Sequence, residues 1–385
     1  MSRYQPGIDA VCEGRADAMG EAQGSALRDR IMAACDVLKQ LEAFRLLQPK
    51  WMPYFVYRWL AERKSRRFLA QALERDSGSF ERLQGLATGA GLPFRTICLF
   101  NALEPMLSSI AGCTACPGAC SSVALTGRRT TSGGPIVAHN FDYLPLVQPL
   151  YMLRRCRPAG KLQSLEFTTA PLAGAVDGIN EAGLAIAYDY AFTIDRPSAP
   201  SPPISLAIAH ALASCRTVEE AATLISRCPR WGGGLLMLAD AEGAIASLEL
   251  SSTCSELRYP ESGSDSLFHT NAFFGDMMRE VQITGGAVYD ERAPVPLRGR
   301  RVHESSERRD ARFRQLLAES GTLDADGLAA LMSDHGVSGT ADDDSPCVHG
   351  SYWATTACLQ FMPRERRMRV AYESACAASY SEFTV

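Results

Sequence analysis

The chain has 385 residues, 46% hydrophobic and 21% charged, the make-up of a globular protein long enough to bury a sizeable core. Its 39 Lys and Arg against 43 Asp and Glu leave a formal charge of −4, so no global field draws it to nucleic acid or to an anionic membrane. Neither is an expected partner. Thirteen cysteines cannot all pair, and the opening MSRYQPGIDAVCEGRADAMG has no basic region followed by an apolar core, so the expected setting is a reducing cytoplasm. No apolar run reaches bilayer length, because the best one, Leu235 to Leu250, is broken by Asp240 and Glu242.

The first hundred residues read as helical. Apolar residues recur at helical spacing from Ala26 to Leu47 (Ile31, Ala34, Leu38, Leu41, Phe44, Leu47), which predicts one amphipathic helix. A second segment, Trp51 to Leu73, sets aromatics and Leu beside Arg58, Arg63, Lys64, Arg66 and Arg67, a pattern that fits a helix with one buried and one solvated face. FERLQGLATGAG ends in the glycine that commonly stops a helix, and LPFRTICLFNALEPML follows as a fourth. Near Gly112 the texture changes to short strands: SSVALT, the turn TSGGP, PIVAHNF, YMLRRC and SLEFTTA. A helical pair interrupts them, ISLAIAHALAS and TVEEAATLISR, the second started by the capping-box spacing of Thr217 and Glu220. Strands GLLMLADA and AIASLEL resume, then an Arg-rich loop over 285–310, helices ARFRQLLAESG and ADGLAALMSDHG, and a closing hairpin of TTACLQFMP and RRMRVAYES. Helices followed by two blocks of strands predict α+β layers rather than βαβ units. There is no phosphate-binding glycine loop, since the triplet at 232–234 lacks the Lys and Ser/Thr.

The densest reactive text is GCTACPGACSSVALTGRRTTSGGPIVAHNFDY. Cys113, Cys116 and Cys120 have the short spacing of zinc thiolates, but no fourth ligand or partner CxxC lies nearby, and the six histidines are scattered along the sequence. Three buried or incidental thiols are the plainer account, and neither a metal nor a cofactor is expected. For the same reason a papain-like Cys-His pair has no visible support. Cys120 stands apart because it follows Gly118 and Ala119 and opens the SSVALT strand.

In order along the chain, CSSVAL, HNFDY, DGINEAGLAIAYDY and HTNAF resemble the penicillin acyltransferase family of N-terminal nucleophile (Ntn) hydrolases, which is related to the bile-salt hydrolases. Upstream, LQGLATGAGLPFRTICLFNALEP is similar to that family's pro-segment. Downstream, ESSERRDARFRQLL, SDHG, SPCVHG and TTACLQF follow the order of its second half. The resemblance implies an αββα sandwich of two antiparallel sheets between helical layers. It also implies self-cleavage between Ala119 and Cys120, giving a helical small subunit (1–119) that stays associated with a large subunit (120–385) within one fold.

The chemistry that the resemblance implies suits the residue types. The Cys120 thiol would attack the preceding carbonyl, and hydrolysis of the thioester would free an α-amine on Cys120. Such an amine titrates near about 8 and can serve the thiol as base and acid without a histidine. Asp142 matches the family aspartate that orients the amine, with a strand-end turn Asp as its plain alternative. Asn271 matches the amide that donates to the oxyanion, a contact worth about 3 kcal/mol of barrier, with a turn-capping Asn as its alternative. Asn180 matches a second site asparagine, although DG and NE are also ordinary turn chemistry. Arg309 fits the arginine near the thiol, with Arg308 and Arg312 as close competitors, and Asp334 with His335 matches a family Asp-His pair of structural kind.

Two departures stand out. Ala119 replaces a frequent glycine, and His139 stands where arginine is common in bile-salt hydrolases. The expected reaction moves an acyl group from an amide, an acyl-coenzyme A or a carrier-protein thioester to an amine or water, with specialised metabolism as a plausible setting. The aromatic and basic stretch WMPYFVYRWLAERKSRRF is a candidate acyl-pocket lining and cation face for coenzyme A phosphates or an acidic carrier protein, with a plain helix of one buried and one solvated face as the commoner alternative. Two other classes remain open, an unprocessed binding module and a zinc protein using Cys113, Cys116 and Cys120.

Overall fold

The computed structural model describes residues 5–108 and 119–385; Cys113 and Cys116 lie outside the described residues. The N-terminal part runs β1 (Ile8–Gly14), α1 (Ala16–Ala26), α2 (Arg28–Gln40), α3 (Glu42–Leu46), α4 (Tyr54–Ala72), α5 (Ser77–Ala90), α6 (Phe94–Asn101) and α7 (Leu103–Ser108). Next come β2 (Ser121–Leu125), β3 (Ile136–Tyr143), β4 (Tyr151–Pro158), β5 (Ser164–Thr169), β6 (Asp177–Asn180) and β7 (Ala185–Ala191). The helical pair α8 (Ile204–Ser214) and α9 (Val218–Arg227) precedes β8 (Gly233–Ala239), β9 (Ile245–Leu250), β10 (Ser255–Arg258) and β11 (Ser266–His269). The chain ends with α10 (Asp276–Val281), α11 (Glu304–Glu319), α12 (Ala325–Met332), β12 (Ala354–Met362), β13 (Arg367–Ala371) and β14 (Ser381–Thr384).

The strands form an eight-stranded sheet, β1-β4-β5-β6-β7-β8-β9-β10, and a six-stranded sheet, β11-β2-β3-β12-β13-β14. All described neighbours are antiparallel except β1 with β4. Strands β2 and β3 pack across the interface on β7 and β8, so the sheets stack face to face, with α8 and α9 on one and α11 and α12 on the other. This is the expected αββα order. It also explains why β2, β7, β8 and β9 are buried at every residue: each has a sheet on one side and a helix layer on the other, which leaves no polar face to alternate.

The predicted helix over Ala26–Leu47 is three pieces. The backbone leaves helical geometry at Leu27 (φ −116°, ψ 20°) and at Leu41 (ψ 105°), while Ile31, Ala34, Leu38, Leu41 and Phe44 all remain buried. Burial periodicity survives a change of axis, so the pattern alone conceals the break. Helix α1 falls within the stretch expected to be helical, but strand β1 departs from it: Ile8–Gly14 is extended because it pairs in parallel with β4 at the edge of a sheet, a partner far along the chain. Elsewhere local rules hold: Thr217 accepts from the Glu220 amide at 3.3 Å, the Glu220 carboxylate takes the Arg216 amide at 2.7 Å, and Gly91 ends α5 at φ +66°.

Helices α1 and α5 cross at backbone contact. Gly20 and Gly24 on α1 meet Gly85 and Gly89 on α5, and a Cβ at Gly20, Gly85 or Gly89 would collide with the carbonyl oxygen of Arg82, Asp17 or Glu21 respectively. These are glycines because nothing larger fits. Gly89→Ala is expected to lower unfolding stability by about 1–3 kcal/mol even though alanine is the better helix former. Urea unfolding checks this, and a variant as stable as wild type would contradict the close approach.

Candidate active site

The register of three strands builds the site. Across the six-stranded sheet Ser122 pairs with His269 on β11 and with His139 on β3, so His269, Ser122 and His139 form one row. Carried two residues further, the same antiparallel register brings 271 beside 120. Alternation puts residues 120 and 122 on the same face, toward the other sheet. That sheet answers with carboxylates: His139 Nδ1 is 2.7 Å from Asp177 Oδ2, and Asp189 lies between His139 Nε2 (3.0 Å) and His269 Nε2 (2.6 Å). The two Asp189 contacts are ion-pair distances off the N–H axes, whereas His269 Nδ1 and Ser247 Oγ share a hydrogen bond of 2.7 Å.

His139 is the main addition the structure makes. The sequence offered no histidine partner for Cys120, yet the His139 imidazole lies against the Cys120 thiol, and Cys120, His139 and Asp189 bring donor atoms within 4.8 Å of one another. Burial opposes charge on His139, but the Asp177 and Asp189 carboxylates outweigh it and hold the ring well above the usual 6.5. The Asp189 carboxyl is driven the other way: burial resists ionisation, and the two histidines nevertheless bring it down to about 2. These three groups could in principle hold a metal, but a proton on His139 already matches the carboxylates. Burial pushes the Cys120 thiol up to about 11, against the opposing field of His139.

Asp142 closes the other side of Cys120. Its backbone carbonyl accepts from the Ala119 amide at 3.0 Å and lies 3.9 Å from the Cys120 sulfur. Of its carboxylate oxygens, Oδ1 accepts from the Thr355 hydroxyl at 2.5 Å, and Oδ2 is buried with no hydrogen-bond partner among the described residues. Burial raises this carboxyl to about 8 despite the field of Arg309. A folded-state pKa above the unfolded value gives stability that is full below about 4 and is lost as pH rises through about 8. In uncleaved Cys120→Ala protein, Asp142→Asn is therefore expected to flatten the fall in melting temperature between pH 5 and pH 9. Parallel melting curves for the two proteins would contradict this.

Of the three candidate arginines, Arg309 is the one at Cys120. Fully buried, it donates to the Cys120 carbonyl at 2.6 Å, the Ser121 hydroxyl at 2.8 Å, Asn271 Oδ1 at 2.7 Å and Ser305 Oγ at 3.1 Å. Arg308 instead pairs with Glu304 and Asp344, and Arg312 with Asp334. The Asn271 amide is oriented unambiguously: its oxygen faces a guanidinium that can only donate, and its nitrogen gives one hydrogen to the Tyr190 carbonyl at 2.8 Å. A second N–H remains. Asn180 is not brought to this group. Its nitrogen donates to the Leu212 and Cys215 carbonyls (2.9 and 2.7 Å) and its oxygen takes the Ala182 and Leu184 amides, so the side chain pins the β6–β7 turn to the end of α8. Turn chemistry accounts for all of its bonds.

Cys120 opens into a cavity of about 140 Å³, a space of the order that holds one aromatic ring. Both halves of the chain line it: Leu38, Phe100 and Leu107 face Phe141, Val176 and Tyr190. Asn101, Thr169 and Ser205 add polar atoms to the lining, and its ionisable carboxyl is Glu104, raised to about 7 by burial and receiving the Tyr188 hydroxyl at 2.9 Å. The wall at 170–174 is clamped by side chains on the N-terminal helices. Gln23 donates to the Ala170 and Leu172 carbonyls, and Asn101 to that of Pro171, while the buried Arg154 ties Gln23 and Glu166 to the carbonyls of 172–174. The aromatic and basic stretch around helix α4 is not among the lining residues, and Phe55 on the helix and Trp51 just before it are largely exposed, which does not fit the acyl-pocket reading of that stretch.

No curated protein matches the chain significantly. Among solved structures, a Caenorhabditis elegans ortholog of N-acylethanolamine-hydrolyzing acid amidase is 13% identical over 69% of this chain and all of its own, at TM-score 0.42. Penicillin V acylase from Agrobacterium tumefaciens is 15% identical over 69% of this chain and 86% of its own (TM-score 0.41). A mutant of conjugated bile acid hydrolase from Clostridium perfringens is 12% identical over 69% of this chain and 97% of its own (TM-score 0.39). The family model described as acyl-coenzyme A:6-aminopenicillanic acid acyl-transferase matches residues 129–374, well over half of the length and spanning His139, Asp142, Asn271 and Arg309. On that match the chain belongs to the acyl-coenzyme A:6-aminopenicillanic acid acyl-transferase family.

Proposed function

We propose that the protein is a self-processing cysteine acyltransferase or amidohydrolase with Cys120 as nucleophile. The observation that carries this reading is the double grip of Arg309. One guanidinium holds together the Asn271 amide and the carbonyl of Cys120, which lines a largely apolar cavity, and Asp142 beside Cys120 keeps one carboxylate oxygen without a partner among the described residues. In the first event the Cys120 sulfur attacks the Ala119 carbonyl carbon, the C–N bond breaks as the nitrogen takes a proton, and water then hydrolyses the thioester. The products are an Ala119 carboxylate and a Cys120 bearing both thiol and amine. His139 is the cation that favours the thiolate in this event, before any free amine exists.

The new amine, paired with Asp142, then acts as base and acid in turnover. Its charge beside the carboxyl stabilises the ionised form that burial disfavours in the uncleaved chain. The thiol attacks an amide or thioester, the second N–H of Asn271 donates to the oxyanion, and the leaving amine or thiol departs with the proton. The acyl group then passes from sulfur to an amine or to water. An apolar acyl arm of about one ring suits the cavity. The small subunit is proposed to stay attached, because residues 1–119 supply β1 to a sheet, Gln23 and Asn101 to the cavity wall, and part of the lining. A cytoplasmic setting and a role in specialised metabolism complete the proposal; among the described residues no helix is long and apolar enough to cross a membrane.

The test is to incubate the purified protein with a panel of aryl-acyl thioesters and amides and to map any acyl mass. The expected result is one acyl group on the peptide that begins at Cys120, removed by hydroxylamine and absent in Cys120→Ser. Acylation elsewhere, or turnover that survives in Cys120→Ser, overturns the reading.

A further inference from the structure

Outside the candidate active site, a second group of soft and borderline donors converges from three distant stretches of the chain. His335 follows α12, Cys347 and His349 lie on the segment leading into β12, and Cys376 sits in the turn before β14. Each offers one donor atom, and all four atoms lie within 4.8 Å of one another. We propose that these residues form a structural zinc site, Cys₂His₂, that anchors the segment carrying Thr355.

The distances are those a tetrahedral ion imposes. Bonds of about 2.3 Å to sulfur and 2.0–2.1 Å to nitrogen set neighbouring donors about 3.3–3.8 Å apart. Here His349 Nε2 lies 3.3 Å from the Cys347 sulfur and 3.5 Å from that of Cys376. The His335 and His349 rings meet edge to face at 5.1 Å, and His335 Nε2 is a buried atom with no hydrogen-bond partner among the described residues. A histidine that carries a buried, unpartnered ring nitrogen and lies among two thiols and a second imidazole has a metal as its natural partner. Cys347 is buried and Cys376 exposed, so the site has a solvent side by which an ion can enter. Binding would release the two thiol protons to solvent and leave no coordination position for substrate, which makes the role structural.

The surroundings hold the ligands in place. The Cys347 amide donates to the Asp334 carbonyl at 3.1 Å, and the Asp334 carboxylate is gripped by Arg312 at 2.6 and 2.8 Å, which fixes the backbone beside His335. Between the two ligands on the β12 side, the Val348 amide donates to Thr355 Oγ1 at 2.9 Å, and that hydroxyl donates to Asp142. An ion on Cys347 and His349 would therefore steady the hydrogen bond that orients Asp142. This inference stands on the four donors alone and does not depend on cleavage at Cys120.

The test is zinc content by plasma mass spectrometry of full-length protein, saturated with zinc sulfate and then passed over a chelating resin. About one zinc per chain is expected in wild type and in Cys120→Ser, falling at least tenfold in Cys347→Ser/Cys376→Ser and in His349→Ala. Cobalt(II) added to metal-free wild type gives a readout independent of whether the variants fold: intense tetrahedral d–d bands with thiolate charge-transfer bands are expected. Zinc absent from wild type, zinc lost only in Cys120→Ser, cobalt without thiolate bands, or a Cys347–Cys376 disulfide in freshly purified protein would each overturn the site.

Discussion

Arg309→Ala is expected to abolish processing on the timescale of expression and to slow any residual acyl transfer by about a hundredfold or more. The guanidinium makes four donor contacts in a fully buried setting, and they reach the carbonyl of Cys120, the proposed nucleophile, and the Asn271 amide proposed for the oxyanion. Charge-assisted hydrogen bonds at a reacting centre are worth about 3 kcal/mol, and about 1.36 kcal/mol is a factor of ten in rate. Arg309→Lys keeps the charge but cannot fork between Cys120 and Asn271, so it should recover stability more than rate. Arg308→Ala is the control: its side chain is exposed and pairs with Glu304 and Asp344, and it should process like wild type. Normal processing in Arg309→Ala, or failure in both variants alike, would count against the assignment.

The second large effect is expected at His139. His139→Gln removes the cation beside the Cys120 thiol and leaves the Asp177 and Asp189 carboxylates facing each other without their shared counter-charge. The thiol, already raised by burial, loses the neighbour that lowers it most among the described residues, so processing at neutral pH should slow by about tenfold or more and its rate profile should shift to higher pH. Breaking a buried charge cluster also costs about 3–5 kcal/mol of stability. Because the His139 pKa is raised on folding, its contribution is full below about 6.5 and disappears as pH rises through its own higher value. His139→Arg separates the roles, since it restores a cation where the resembling hydrolases carry one and should recover processing in part. A His139→Gln protein that processes with the wild-type pH profile would show that the ring is only packing.

Much of the framework could be read from residue order. The strand texture from Cys120 onward, the Thr217 cap and the helix from Ala325 follow local rules that tertiary packing does not disturb, whereas α11 begins at Glu304, inside the 285–310 stretch expected to be loop, because its polar first turns hide a face that buries Ser305, Ser306 and Arg309. Asp142, Asn271 and Arg309 were legible only through the resemblance, and the structure places them around Cys120. Arg308, Arg309 and Arg312 look alike in sequence because all lie on one helix, and only burial separates them.

What escaped the sequence depends on contacts between strands far apart in the chain. His139 alternates with Phe141 and Tyr143 toward the opposite sheet, where it meets carboxylates from two strands, β6 and β7. A signal was available in DGIN and AIAYDYA: Asp177 and Asp189 are charges inside runs otherwise fit for full burial, and such charges need a partner. Asn180 misled in the opposite way, since a turn asparagine and a site asparagine are identical in text and only its four bonds show where it is used. The Cys347–Cys376 donor group was invisible for a simpler reason: short spacings are what mark metal ligands in a sequence, and these ligands are brought together by the hairpin and the turn that follow β12.

The central claim is that Cys120 becomes an N-terminus, and intact mass spectrometry of freshly purified wild type beside Cys120→Ala tests it most directly. The account predicts two wild-type fragments whose masses meet between Ala119 and Cys120, co-eluting on a sizing column, and a single intact 41.7 kDa chain in the variant. An intact wild-type chain that still turns over acyl substrates, or a cut at another bond, would contradict it.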